Sequence, residues 1–178
     1  MDSINKNQPE EHRRDLHGAE ALERIRKMAE EAKTCFFCTE GGTGADGGVR
    51  PMSLLQADDA GNLWFMSAKD SHKNAELATN PHVKLFFQES THAGFMELDA
   101  TAVVSQDKAK IKELWDFMLK TWFTGGEDDP RITVIQVIPK GGYYWDNKHG
   151  QAIAGAKMLV GAAIGKTLDD SIEGRLIV

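Results

Sequence analysis

Apolar residues recur along this chain with one of two periods, and the switches between them mark out its elements. From Gly18 to Lys33, Leu22, Ile25, Met28, Ala29 and Ala32 fall on one side of a 3.6-residue repeat, with Glu and Arg opposite. That predicts an amphipathic helix covering a sheet or a barrel end. Thr34 to Thr39, rich in Cys and Phe, reads as a buried strand. Asn80-Pro81 breaks the chain before a strand His82 to Glu89, whose Val83, Leu85 and Phe87 share one side. Gly94 to Gln106 alternates again, with Met96, Leu98, Ala100, Ala102 and Val104 on its more apolar face. Helical spacing returns after the capping residue Asp107, where Ile111, Leu114, Trp115, Met118 and Leu119 make a wide stripe. Trp122 to Pro130 is an aromatic-to-acidic loop, and Arg131 to Pro139 and Gly142 to Asp146 supply two last strands.

The stretch Arg50 to Lys73 carries the most information. It reads as a strand, a tight turn at Asp58-Asp59-Ala60-Gly61-Asn62, a second strand and the first turn of a helix Ser71 to Thr79. If Gln56 faces Leu63, then Leu54 faces Phe65, Met52 faces Ser67 and Arg50 faces Lys69. The shared face is apolar near the turn and basic at the far end. Asp70 or Ser71 caps the helix, whose first N–H groups then point toward Ser67, Lys69 and Lys73. A helix start among hydroxyls and cations is an anion site of phosphate size. An apolar floor leading to a phosphate clamp implies a phosphorylated, flat, largely apolar ligand. The competing reading is an ordinary hairpin whose charges are solvated at its rim.

Six or so strands, few helices and short turns suit a small antiparallel barrel closed on itself, in a mainly β domain spanning 18–150. Residues 1–17 lack a periodic apolar set and read as a flexible arm. The Ala- and Gly-rich segment 151–178 reads as a packing segment or tail. A net charge of −6 and a pI near 5.5, with dispersed Lys and Arg, argue against a nucleic-acid partner. The first 18 residues are polar, so no secretory signal is expected. The best candidate membrane span, Ala152 to Ile164, is short and interrupted by Lys157. The expected compartment is the cytoplasm.

Other motifs offer chemistry that their contexts do not support. Gly42, Gly44 and Gly47 spell G-x-G-x-x-G, but a strand rather than a helix follows, so a hairpin connection is the better reading than a dinucleotide loop. Cys35 and Cys38 have C-x-x-C spacing, yet on a strand their sulfurs point to opposite faces. The six histidines show no H-E-x-x-H or H-x-H spacing, so no metal is expected. Glu127, Asp128 and Asp129 sit beside Pro130 as turn-forming, solvated carboxylates. The pairs Trp122-Phe123 and Tyr144-Trp145 are either core or flat rings beside a ligand.

The blocks "RPM", "LWFMS", "SHKNAEL", "NPHVKLFF", a "WF" followed by Gly and "DDP", and a late "YYWD" occur in this order. Over about residues 20 to 170 they resemble the FMN-binding split-barrel family related to pyridoxamine-5′-phosphate oxidase, particularly its general-stress-protein branch. The resemblance implies a homodimer with FMN in the cleft between subunits. Arg50, Met52 and Ser53 would line the flavin ring and ribityl chain, Met66 and Ser67 would add backbone and hydroxyl contacts, and Ser71, His72 and Lys73 would hold the phosphate. Relatives often carry Arg at the position of His72. Trp145 matches an aromatic that reaches the flavin. The chain departs from true pyridoxamine-phosphate oxidases after Trp145, where Asp146-Asn147-Lys148-His149-Gly150 replaces an Arg-Leu-His grip on the substrate phosphate. Vitamin B6 oxidation is therefore not expected. The readings implied are a flavin-dependent oxidoreductase or flavin reductase with a small-molecule redox partner, a non-catalytic flavin-binding or flavin-sequestering protein, and a haem- or deazaflavin-binding barrel. Haem would take His72 or His149 as its axial ligand.

Overall fold

A computed structural model of the chain describes residues 12–40, 48–89, 94–147, 157, 160 and 171–178. The elements run β1 (Leu16–His17), α1 (Ala19–Ala32), β2 (Thr34–Thr39), β3 (Val49–Ser53), β4 (Gln56–Ala57), β5 (Leu63–Ala68), α2 (His72–Thr79), β6 (His82–Gln88), β7 (Phe95–Ser105) and α3 (Lys108–Leu114). Two short 3-10 turns, Phe117–Thr121 and Gly126–Asp128, then lead to β8 (Ile132–Asn147) and β9 (Ser171–Ile177). The strands form one nine-stranded sheet with the path β1-β9-β8-β7-β6-β2-β3, and β5 joins β8 and β4 off that path.

The long strand β8 is the spine. Along most of its length it pairs with β7, Ser105 opposite Val134 at one end and Phe95 opposite Trp145 at the other. Its other edge is shared, with β5 against its first half and β9 against its second. A register shift between Asp99 and Ala100 lets β8 run straight through Pro139-Lys140-Gly141. The two final strands expected from the sequence are therefore one.

Alternation along the strands sends one set of side chains inward. Phe37, Phe65, Leu85, Leu98 and Val137 are fully buried and meet Ile25, Met28 and Ala29 of α1. Each such large side chain contributes roughly 1.5–3 kcal/mol on burial. Phe37 and Phe65 pack edge to face, with centroids 5.5 Å apart. A second, smaller cluster gathers Ile111 and Leu114 of α3 with Phe123, Ile132 and Val134. β2 is buried on one face only, since Phe36 is 59% exposed.

Several expectations are corrected. The hairpin Arg50–Gln56 against Leu63–Lys69 does not form: β3 pairs with β2, placing Met52 opposite Cys35, and only Gln56 and Ala57 pair with β5, in a register one residue away from the expected one. Among the described residues the sheet does not close, because β3 is bonded to β2 alone, and it is not wholly antiparallel, because β1 runs parallel to β9. The apolar stripe after Asp107 is not one helix. α3 ends at Leu114, and Trp115 takes extended backbone before the 3-10 turn. Leu16 and His17, expected in a flexible arm, pair with Leu176 and Ile177 of a strand that was expected to be tail. Gly174 permits that closeness: a Cβ there would meet Arg14 O at 1.9 Å. The Gly-rich motif at 42–47, His92, His149 and most of the 151–170 segment lie outside the described residues.

Candidate functional site

The site is set where the chain changes partners. β3 ends paired with β2 at Ser53–Thr34, Leu54 N donates to Lys33 O, and Leu55 N already donates to Trp64 O on β5. β3 and β5 therefore diverge from Leu54-Leu55, and a wedge-shaped hollow of about 420 Å³ opens between them. Pro51, Met52 and Ser53 line one side and Met66, Ser67 and Ala68 the other. Leu55, Leu119, Trp122 and Phe123 complete an apolar wall, and Lys73 enters from α2.

Lys73 is 8% exposed. Its Nζ lies 3.2 Å from Met52 Sδ, and among the described residues no carboxylate forms an ion pair with it. Burial pulls its pKa down to about 8; the nearby Arg50 guanidinium adds to the fall and Glu76 opposes it. A buried cation without an acidic partner is costly alone and becomes favourable when an anion arrives. The helix start supplies matching groups. Ser71 caps α2, its Oγ accepting from Asn74 N, and Ser67 and Ser71 hydroxyls lie 3.0 Å apart. Ser67 and Lys73 thus line one apolar wedge, with the Ser71 hydroxyl at the helix start joined to Ser67, an arrangement that fits a phosphate-bearing flat ligand.

The same helix is locked to the sheet. Asn74 Nδ2 donates to Thr133 Oγ1 at 2.8 Å, and Thr133 Oγ1 donates to Ser67 O at 2.8 Å. Arg50 donates to Glu76 Oε2 at 2.7 Å, and Thr39 Oγ1 donates to the same carboxylate. The hydrogen bond from Arg50 holds the Glu76 carboxyl below its ordinary range, and that from Thr39 adds to it.

Of the expected site residues, the structure brings Met52, Ser53, Met66, Ser67 and Lys73 into one hollow, with Ser71 joined to it through Ser67. Arg50 does not line the hollow; it braces α2 through Glu76. His72 is exposed and also outside the lining. Trp145 stands in a different hollow of about 310 Å³, with Phe36, Phe86, Phe87 and Phe95. Sequence reasoning missed Leu55 and Leu119 as lining, and Asn74, Thr133 and Glu76 as supports; Trp122 and Phe123, read there as either core or rings beside a ligand, do line the hollow. Nothing local marks Leu119 or Thr133, which reach the site only through the fold.

The described cysteines and clusters add no rival centre. Cys35 is buried and Cys38 half-buried, both are free, and burial pushes the Cys35 thiol up to about 12. Among the described residues no group of three or more His, Cys, Asp and Glu is placed to hold a metal ion. No helix among them is long and apolar enough to cross a membrane.

A mainly β, unclosed sheet with flanking helices and a ligand-sized wedge beside a helix start defines a split-barrel protein. The family described as "Pyridoxamine 5'-phosphate oxidase like" matches residues 20–169, and the chain belongs to it. Similar curated proteins are protein bli-3 of Neurospora crassa, 29% identical over 97 residues, and general stress protein 26 of Bacillus subtilis, 24% identical over 85. These matches cover 49% and 46% of this chain, and 46% and 60% of those proteins. The chain thus spans about half the length of the curated relatives it matches. Among solved structures, a general stress protein 26 from Jannaschia sp. CCS1 is similar with a TM-score of 0.77 and 23% identity, over 90% of this chain and 100% of that one. A general stress FMN/FAD binding protein from Xanthomonas citri gives 0.64 and 25%, over 75% and 94%.

Proposed function

We propose that the wedge binds flavin mononucleotide, with the phosphate at Lys73, Ser67 and Ser71 and the ring system on Met52, Ser53 and Met66. The observation that carries this reading is Lys73, buried in the lining of an apolar hollow and without a carboxylate partner among the described residues. The FMN/FAD binding described for the Xanthomonas citri protein supports it. A bound flavin supplies two-electron redox chemistry, and the chain's part is to hold it, orient it and exclude water. Vitamin B6 oxidation is not part of the reading.

Titration of the purified protein with FMN and with riboflavin tests this. FMN binds about 10–100-fold more tightly than riboflavin, because charge-assisted bonds to the phosphate are worth roughly 1.5–3 kcal/mol. Equal affinities, or no affinity for either, would overturn the assignment.

Two functional readings share that site. In the first, the protein is a flavin-dependent oxidoreductase or flavin reductase acting on a small-molecule redox partner. The second, a flavin-holding protein without turnover, is favoured by one feature: among the described residues lining the wedge, Lys73 is the only ionisable group, and it serves the phosphate. Stopped-flow reduction by NADH or NADPH separates them, since reduction no faster than that of free FMN leaves only the holder.

The assembly belongs to the same proposal. Phe36, Phe86, Phe95 and Trp145, all at least 40% exposed, lie on the outward side of four adjacent strands. A second copy of the chain covering this aromatic face would form the homodimer, and would give Trp145 a route to a flavin held by its partner.

A further inference from the structure

We propose that the 3-10 turn Phe117–Thr121, with Trp122 and Phe123 after it, is a wall for a second ligand, and that it selects a neutral, planar aromatic compound. This inference rests on the flavin reading of the same wedge. Phe117, Met118 and Trp122 are 76%, 68% and 67% exposed, and Trp122 also lines the wedge. Large apolar side chains left outside the core, as Trp122 is at the wedge and Phe117 and Met118 are in the turn before it, mark a surface that meets something else.

The ring of Trp122 is presented by a braced scaffold. Phe123, next in the chain, is 6% exposed and packs into the cluster of Ile111, Leu114, Ile132 and Val134. Asp116 accepts from Met118 N at 2.8 Å, and Trp122 N donates to Leu119 O at 3.0 Å. Farther along, the buried Asp129 carboxylate accepts from Arg131 N, Nε and Nη2 at 3.0, 3.0 and 2.7 Å. The indole therefore stands at the mouth because its neighbours hold it there.

Charge then narrows the ligand class. Lys73 is the only ionisable side chain among the described residues that line the wedge, and on the flavin reading a phosphate neutralises it. Among the described lining residues no other cation is left to offset a second negative charge, and Lys120, exposed in the turn, is not one of them. An anionic compound would lose its hydration against Leu119 and Phe123 without compensation, whereas a neutral flat ring loses little and stacks on indole. A phosphorylated or carboxylated second ligand is disfavoured by the same argument.

Calorimetric titration of the FMN-loaded protein with naphthoquinone and with its sulfonated analogue tests this. The neutral compound binds about tenfold or more tightly than the sulfonate. Trp122→Ala lowers affinity for the neutral compound about tenfold, while Trp122→Phe keeps most of it. Leu119→Lys adds the missing cation and gains binding of the sulfonate. Equal binding of the two analogues, or a Trp122→Ala protein that binds like the wild type, overturns the inference. A Trp122→Ala protein whose sedimentation changes instead assigns the ridge to a subunit contact, and overturns it too. Failure to take up FMN at all sinks the flavin reading itself, so the two failures are told apart.

Discussion

Burial of Lys73 beside Met52 links two properties that are usually independent, apo stability and anion affinity. Lys73→Met removes an uncompensated interior charge while keeping an apolar side chain of similar length. Below pH 8 the variant is expected to be more stable than the wild type without ligand, by about 1–3 kcal/mol in denaturant titration. It is also expected to bind FMN about 10–100-fold more weakly. The pH dependence has opposite signs for the two quantities. The folded lysine loses its proton near pH 8 and the unfolded one near 10.5, so between those values the unfolded chain holds more protons and the wild type's stability deficit against the variant shrinks as pH rises. FMN affinity instead falls as pH passes about 8, because the neutral amine no longer pairs with phosphate. Fluorescence titrations from pH 6 to about 9.5 check this, and a flat profile would contradict the role given to Lys73. At this scale the sequence was informative: Ser67, Ser71 and Lys73 were legible because a helix start needs a cap and a cap concentrates N–H groups. The roles of Arg50 and His72 were not, because a side chain's partner depends on what lies across the fold. For Arg50 that partner is Glu76 on α2.

α2 is an eight-residue helix held at its start by Ser71 and along its length by Asn74–Thr133 and Arg50–Glu76. Ser71→Ala removes the acceptor for Asn74 N and is expected to cost about 1 kcal/mol of stability, with FMN affinity also reduced. A Ser71→Ala protein with unchanged melting temperature and affinity would show that the cap contributes to neither. Local pattern located α1, β2, β6 and β7 within a residue or two, because each has a clear apolar period. It failed where two pairings compete. Val49–Ser53 alternates half-buried and exposed residues, so its own sequence does not favour β2 or β5 as the partner. Contacts with Cys35 to Phe37, distant in the chain, decide it. Similarly, the apolar stripe through Leu119 fits a helix locally, yet the chain breaks at Trp115 and carries Leu119 to the wedge.

At the scale of the whole molecule, the aromatic band across β2, β6, β7 and β8 is the surface proposed for assembly. Phe86→Glu or Phe95→Glu places a charge in that band without touching the wedge and is expected to convert a dimer to a monomer in sedimentation velocity. An unchanged sedimentation coefficient would remove the band from the interface. The unclosed sheet is the other global feature, and it was hidden in the sequence because closure depends on edge pairing that no single segment encodes. β3 is an edge strand, and Pro51 within it lacks an N–H, which blunts its use as a template by another chain. Its free margin still faces β5 across the wedge. A compound lodged there serves as the rung that the ladder omits, tying the two halves of the architecture together. Heat resistance should therefore climb with occupancy, by about 2.7 kcal/mol once free FMN reaches a hundredfold excess over its dissociation constant.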